Sequence, residues 1–353
     1  MNLGLSDVSV MDCEEFLAQQ GTIIDVRSPC EFRKGHIPGS YSLPLFEDEE
    51  RAIIGTIYKQ RGRDAAITSG LQVVGPKLSS FSQKIREVVE EGSLCRVLCF
   101  RGGMRSQSMQ WLCQFIGVPT VRLSGGYKKF RHTVLQTFEQ SFRVIVLGGA
   151  TGSGKTSLLQ DLRQRGEQVI DLEALAHHRG SAFGTYMTGE QPTTEQFENI
   201  LASALLGMDR SSPIFLEDES RSIGRCMIPA SWYQRMDRAP VVWIDLPREI
   251  RLHRILEEYG SLSSEWLIKC TKKLQKRLGG ERTQHVVSLI QSQHLREAAS
   301  ILLDYYDSAY AYSRSRHSRP LFTIDVTCFQ NLTDEVLRTA REIMCSPACS
   351  EHF

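Results

Sequence analysis

No uninterrupted apolar run in this 353-residue chain approaches the roughly 20 residues that cross a bilayer, so no membrane partner is expected. The opening residues, Met1-Asn2-Leu3-Gly4-Leu5-Ser6-Asp7, lack the basic stretch and apolar core of a signal peptide. Charge of one sign is missing too. Lys and Arg number 42 against 41 Asp and Glu, a formal net charge of +1. That excludes a grossly basic nucleic-acid binder and leaves room for a local basic face. Ten cysteines are present, but no CxxC half of a zinc site. The tightest pairs are Cys95/Cys99 and Cys345/Cys349. Without a secretion signal, a disulfide framework is not expected in a chain of this size, which points to a reducing, cytoplasmic setting. Internal repeats and low-complexity tracts are absent. What remains is an ordinary composition, 41% hydrophobic and 24% charged, with enough chain for two globular domains.

Strand-like and helix-like segments alternate, which argues for parallel α/β sheets. Gly21 to Val26, Leu94 to Leu98 and Pro119 to Leu123 read as strands, with helices from Pro29 and from Ser106 to Ile116. A second α/β pattern starts at Phe142. Val144 to Leu147, Gln168 to Leu172, Ile214 to Leu216, Val241 to Ile244 and Leu321 to Val326 are its strands, and the longest helix is expected from about Thr283 to Tyr312. The domains are placed at 1–138, with a less regular insert at about 44–91, and at 139–353, with a basic helical segment. The insert opens with Glu47-Asp48-Glu49-Glu50, which reads as part of a solvated helical cover over the sheet.

Two loops carry chemistry. Cys99-Phe100-Arg101-Gly102-Gly103-Met104-Arg105-Ser106 follows an apolar strand and precedes a helix. A thiol at a helix N-terminus is favoured as thiolate by exposed backbone N–H groups. Arg101 and Arg105 add positive charge, and Gly102 and Gly103 let the backbone form an anion-binding nest. Cys99 is therefore a candidate nucleophile for a sulfur, selenium or phosphorus centre. Cys95 and Cys113 read as inert core residues.

Gly149-Ala150-Thr151-Gly152-Ser153-Gly154-Lys155-Thr156 matches G-x-x-x-x-G-K-[ST], with strand before and helix after. Gly149, Gly152 and Gly154 let amides approach a phosphate chain, Lys155 supplies a point charge, and the Thr156 hydroxyl can ligate Mg²⁺. Ile214 to Glu219 is an apolar strand ending in acids, so Glu217 or Asp218 is the second metal-linked candidate. Asp171, Glu173 and Arg179 follow the next strand, where α/β folds bind substrates. Lys272, Lys273, Arg277 and Arg282 belong to a basic cluster around Gly279-Gly280. It is either a solvated helix face or a phosphate-backbone contact.

The first loop and its surroundings resemble a rhodanese domain. The likeness lies in Ile24-Asp25-Val26-Arg27-Ser28-Pro29, Glu31-Phe32, Gly35 to Ser40, Cys99 to Ser106, and Leu123-Ser124-Gly125-Gly126. Common sulfurtransferases place the arginine five residues after the cysteine. Here Arg105 is six after Cys99, as in the dual-specificity phosphatases that share the fold. The longer loop makes a wider cradle, suited to a tetrahedral phosphate-bearing substrate. The pairing with a P-loop domain is similar to the tRNA 2-selenouridine synthase family. Further likeness lies in Glu50-Arg51, Gly55 to Gly62, Asp171 to Gly184, Glu217 to Gly224 and Arg277 to Gly280.

That resemblance implies a transferase acting on tRNA with a 5-substituted 2-thiouridine at the wobble position. It implies geranylation of the sulfur from geranyl diphosphate, then replacement of that sulfur by selenium from selenophosphate, with Cys99 as an S-selanylcysteine intermediate. It implies no tightly bound cofactor, Mg²⁺ beside the diphosphate, and a selenophosphate-producing enzyme as a partner. The residues themselves leave another reading open, a rhodanese-type sulfurtransferase or phosphatase fused to an ATP-dependent kinase. No Asp-rich DDxxD motif of the usual isoprenoid enzymes is present.

Overall fold

The computed structural model describes residues 10–178, 190–314, 319–326 and 331–346. The chain divides into two compact units, Met1–Thr137 with Glu198–Ser203, and Phe138–Phe197 with Ala204–Phe353.

The first unit opens with β1 (Val10–Met11), α1 (Cys13–Ala18), β2 (Thr22–Asp25), α2 (Pro29–Lys34) and β3 (Tyr41–Ser42). Then come α3 (Asp48–Arg61), α4 (Arg63–Val74) and, after a short 3₁₀ turn, α5 (Leu78–Val88). It closes with β4 (Cys95–Leu98), α6 (Met104–Phe115), β5 (Thr120–Leu123) and α7 (Gly126–Thr137). The sheet is parallel in the order β1-β5-β4-β2-β3. β4 sits at its centre and is buried along its whole length, which is why it reads as a continuous apolar run. Ile24, Val97, Met109, Leu112 and Phe81 meet in one core.

The stretch 44–91, expected to be less regular, is mostly helical. Its helices are weakly patterned because they bury little. α3 has no buried residue, and α4 buries only Ala66, Gly70 and Val74. α5 is the amphipathic one, and it buries Phe81 and Ile85. The acidic run does more than face solvent. Glu47 and Glu50 form a reciprocal capping box that starts α3, and Glu50 also accepts from Lys77 Nζ at 2.6 Å. Gly62, at φ +84°, lets the chain turn from α3 directly into α4.

The second unit begins β6 (Arg143–Gly149), α8 (Lys155–Gln164), β7 (Gln168–Ile170), α9 (Leu172–Leu175), α10 (Thr194–Leu206, whose Glu198–Ser203 count with the first unit) and β8 (Pro213–Glu217). A hairpin of β9 (Ser222–Ile223) and β10 (Cys226–Met227) precedes α11 (Ala230–Arg238), β11 (Val241–Asp245) and α12 (Arg248–Tyr259). Then follow α13 (Ser264–Lys273), α14 (Gln275–Leu278), α15 (Gly280–Gln291), α16 (Leu295–Arg314), β12 (Leu321–Asp325) and α17 (Leu332–Cys345). Its main sheet is parallel, β12-β11-β6-β8-β7, with β6 central. Ile145, Leu147, Leu159, Phe215, Val242 and Val336 share its core.

The expected parallel α/β class holds for both main sheets. One helix is corrected. The run expected from Thr283 to Tyr312 is two helices, α15 and α16. The break falls at Ser292–His294, where Gln293 adopts φ +62°, a left-handed conformation that ends a helix. Among the described residues no helix is long and apolar enough to cross a membrane.

Candidate active sites

Cys99 leaves the C-terminal end of β4, and α6 starts at Met104 with Gly103 as its N-cap. The thiol is 3% exposed. Its Sγ lies 3.2 Å from Ser106 Oγ and 3.8 Å from the Gly103 carbonyl, to which Ser106 Oγ also donates at 3.0 Å. The cradle is therefore not made of amides alone: a hydroxyl and a carbonyl border the thiol. Gly102 sits at φ +66°, and a Cβ there would come within 2.8 Å of the Leu123 carbonyl. The loop rests on the start of α7. Tyr127 N–H donates to the Cys99 carbonyl at 2.9 Å, and Lys128 N–H to that of Phe100 at 3.0 Å. Gly126, at φ +60°, makes this approach possible. A Cβ on it would lie 2.2 Å from the Cys99 carbonyl oxygen and 2.5 Å from Gly102 N. Arg122 donates to the Gly102 carbonyl and, at 3.2 Å, to Gln110 Oε1.

The two arginines of the loop behave differently. Arg101 is exposed, its guanidinium 6.0 Å from the Phe100 ring centroid. Arg105, in the first turn of α6, donates to Glu31 at 2.7 Å, and Arg51 of α3 meets the same carboxylate at 3.0 Å. Burial pushes the Glu31 carboxyl up, but the hydrogen bond and charge of Arg105, the Ser28 amide and Arg51 outweigh it and hold the carboxyl below its ordinary value. Arg105 in turn is raised: burial disfavours its charge, and Glu31, Cys99 and Asp25 favour it more. Glu31 and Ser106 were quoted as parts of motifs without roles; their contacts supply those roles. Asp25 and Arg27 form a buried pair at 2.7 Å, and Arg27 also donates to the Gly35 carbonyl at 2.7 Å. Its guanidinium stacks 3.6 Å from the Tyr127 ring centroid. These contacts tie the segment from Asp25 to Gly35 to the start of α7.

In the second unit the glycine loop joins β6 to α8. Gly149, Gly152 and Gly154 have φ of +158°, +81° and +87°. A Cβ on Gly152 would meet the Arg251 carbonyl at 2.8 Å, and one on Gly154 the Arg254 guanidinium at 2.7 Å. Lys155 Nζ donates to the Gly149 carbonyl at 2.7 Å, and Thr156 is exposed. Arg251, pinned by Asp307 at 2.8 Å, donates to the Thr151 carbonyl at 3.2 Å. Arg251 and Arg254 were not among the expected site residues. The signal for them is the spacing of Arg248, Arg251 and Arg254 along one face of α12.

The acids at the end of β8 divide. Asp218 is engaged by Arg319 at 2.6 Å. Glu217 is 3% exposed, and its Oε1 accepts the Glu173 N–H at 2.7 Å, while Oε2 has no partner among the described residues. Burial, with Asp171 nearby, pushes its pKa well above the ordinary value. Glu219 is pushed up to about 8 by burial and by Glu173, with Lys155 pulling the other way. It is thus an acid that senses the P-loop lysine, and it was not singled out from sequence. Asp171 caps α9 through the Ala174 N–H at 2.8 Å. Arg179 lies outside the described residues. Among the described residues no three His, Cys, Asp or Glu side chains form a ready-made metal centre. The orphaned Glu217 oxygen and the raised Glu219 suit a cation that also takes ligand oxygens, the usual way Mg²⁺ binds beside phosphates.

Lys272 and Lys273 close α13, Arg277 lies in α14 and Arg282 in α15, and all four are exposed. Leu267, Cys270, Leu274, Leu278 and Val286 form the core behind them.

Two family models match the chain. The family model "Rhodanese-like domain" matches residues 10–133, and "tRNA 2-selenouridine synthase AAA domain" matches residues 142–343. The tRNA 2-selenouridine synthase of Bordetella petrii is 38% identical, over 86% of this chain and 90% of its own. That of Pseudomonas fluorescens is 37% identical, over 86% and 91%. The one from Nitrosomonas europaea is 39% identical, over 72% and 67%.

Proposed function

The chain belongs to the tRNA 2-selenouridine synthase family, and from that premise we propose that it prenylates a 2-thiouridine in tRNA and then exchanges the prenylated sulfur for selenium. The carrying observation is the Cys99 loop, a thiol at the N-terminus of α6 with Ser106 Oγ at 3.2 Å and Arg105 one turn away. Such a loop suits a tetrahedral, anionic selenium donor, here selenophosphate.

In the first step the thione sulfur attacks C1 of geranyl diphosphate. The C1–O bond breaks, and diphosphate departs onto the glycine-loop amides and Lys155, which meet its charge as it develops. Thr156 and Glu217 are the groups to hold Mg²⁺, which when bound neutralises diphosphate charge; Glu219 lies beside them. In the second step the Cys99 thiolate takes selenium from selenophosphate. The S–Se bond forms, water takes the phosphoryl group as the Se–P bond breaks, and a low-molecular-weight disulfide accepts the two electrons and becomes two thiols. The terminal selenium of Cys99–S–Se⁻ then attacks C2 of the base. The C2–Se bond forms and the C2–S bond breaks, and sulfur leaves, once protonated, as a neutral prenyl thiol. Cleavage of the remaining S–Se bond returns Cys99 and takes two electrons from two low-molecular-weight thiols, which re-form the disulfide, so the exchange is redox-neutral overall. Prenylation thus turns a poor leaving group into a good one. The exposed cations from Lys272 to Arg282 contact the tRNA backbone, and the reaction belongs in the reducing cytoplasm, beside a selenophosphate-producing enzyme.

The test is mass spectrometry of tRNA nucleosides. In cells carrying Cys99→Ala, selenouridine is expected to vanish while the prenylated thiouridine persists. Selenouridine surviving in that strain would overturn the assignment.

A further inference from the structure

The first unit contains a cavity of about 1030 Å³, at the top of the roughly 300–1,000 Å³ range of small-molecule sites. It lies between the α3–α4 hairpin and α6. Its wall includes Arg101, Met104 and Arg105, the residues that directly follow Cys99. Phe46, Ala66, Phe81 and Leu112 are its buried apolar lining. Toward the outside, Tyr58, Leu71, Met104 and Trp111 line it while largely exposed, Leu71 by 67% and Trp111 by 52%. Among the described residues, a helix that buries none of its residues and borders such a hollow has not met an apolar complement.

Charge narrows the choice of occupant. Arg51, Lys59, Arg63, Arg101 and Arg105 also line the cavity, and among the described residues no carboxylate does. Glu31, outside the lining, pairs with Arg51 and Arg105. The hollow therefore suits a ligand with an apolar chain and a polyanionic body that approaches the Cys99 loop. We infer that it receives the prenyl chain of the S-prenylated base during selenium transfer, with the flanking tRNA phosphates on the cationic rim. This rests on the two-step reading above and deepens it: the enzyme recognises its own intermediate by the chain it added. It also assigns the 44–91 insert a role, since α3 and α4 build one wall of the cavity.

The test uses the full chain and two synthetic anticodon stem-loop RNAs, one with S-geranyl-2-thiouridine and one with S-methyl-2-thiouridine. Binding is read by fluorescence anisotropy, and exchange by nucleoside mass spectrometry with selenophosphate and a thiol. The geranyl RNA is expected to bind at least about tenfold tighter, a gain that needs burial of only two or so methylenes. Ala52→Trp fills the cavity from an exposed position on α3, and Leu71→Glu charges its exposed wall; neither disturbs the core, and an unchanged Tm checks this. Both are expected to abolish the preference while leaving S-methyl RNA binding as it was. A preference that survives in both variants, or that the natural chain never shows, overturns the inference. Exchange on geranyl RNA without any preference removes the cavity's role and spares the two-step reading. Preference without exchange does the reverse.

Discussion

The Cys99 loop and the Gly149 loop are built alike, each from a buried central strand, a glycine turn and a helix N-terminus, yet they sit in opposite electrostatic settings. Around Cys99 the charges are mostly cationic, and the carboxylate that pairs with Arg105, Glu31, is held ionised by Arg105 and Arg51. Around Lys155 the acids crowd, and Glu217 and Glu219 are driven toward their neutral forms. The first setting favours an anion by itself. The second suits an anion that brings a cation with it. One backbone solution thus serves two chemistries, and the difference lies in side chains contributed by other elements.

The sharpest separation of the two loops comes from Lys155→Ala. Removing one donor from a preorganised anion site typically costs about 10²–10³ in rate, and prenylation is expected to fall by that much. Selenium exchange on RNA supplied already prenylated is expected to stay within a few fold, measured in single turnovers. A loss in both steps would merge the sites. Glu219→Gln comes next. An acid held protonated in the fold contributes stability below its ordinary value of 4.5, and that contribution is lost as pH rises through about 8. Urea unfolding across that window should fall off less steeply in the variant, by at most about 1.4 kcal/mol per pH unit. Charge reversal of Lys272 and Arg277 together is expected to weaken tRNA binding about tenfold and to lower the slope of log K against log salt by roughly 2. An unchanged slope would leave those residues as a solvated face.

The smallest effect tests the other side of the comparison. Glu31 has a depressed pKa, so its ion pairs stabilise the fold above the ordinary carboxylate range, and that stability is lost as pH falls through the depressed value. Glu31→Gln is expected to cost about 1 kcal/mol at neutral pH and to flatten the acid limb, read by urea titration. It should also slow selenium transfer, because Arg105 loses its anchor.

Much of this was legible in sequence because it is local. The glycine spacing of residues 149–156 and the thiol before Gly102-Gly103 report their own turns, and the buried strands Cys95–Leu98 and Arg143–Gly149 announce themselves as apolar runs. What escaped depends on distant partners. Nothing near Glu31 in sequence says that it holds Arg51 and Arg105, and nothing near Glu219 says that burial and Glu173 raise it while Arg319 engages its neighbour Asp218. The break at Gln293 was hidden because both helices continue the same polar and apolar alternation. The insert looked irregular because α3 and α4 border a hollow and so show little amphipathic pattern.

Gly126 has an implication for engineering. The backbone of the reactive loop is in contact with a residue from the far side of β5, so close that even a methyl group there would collide with the Cys99 carbonyl. The octapeptide from Cys99 to Ser106 is therefore not a portable module. A transplant of that segment into another scaffold would carry the nucleophile without the surface that shapes it, and the donor of the shape would have to travel with it.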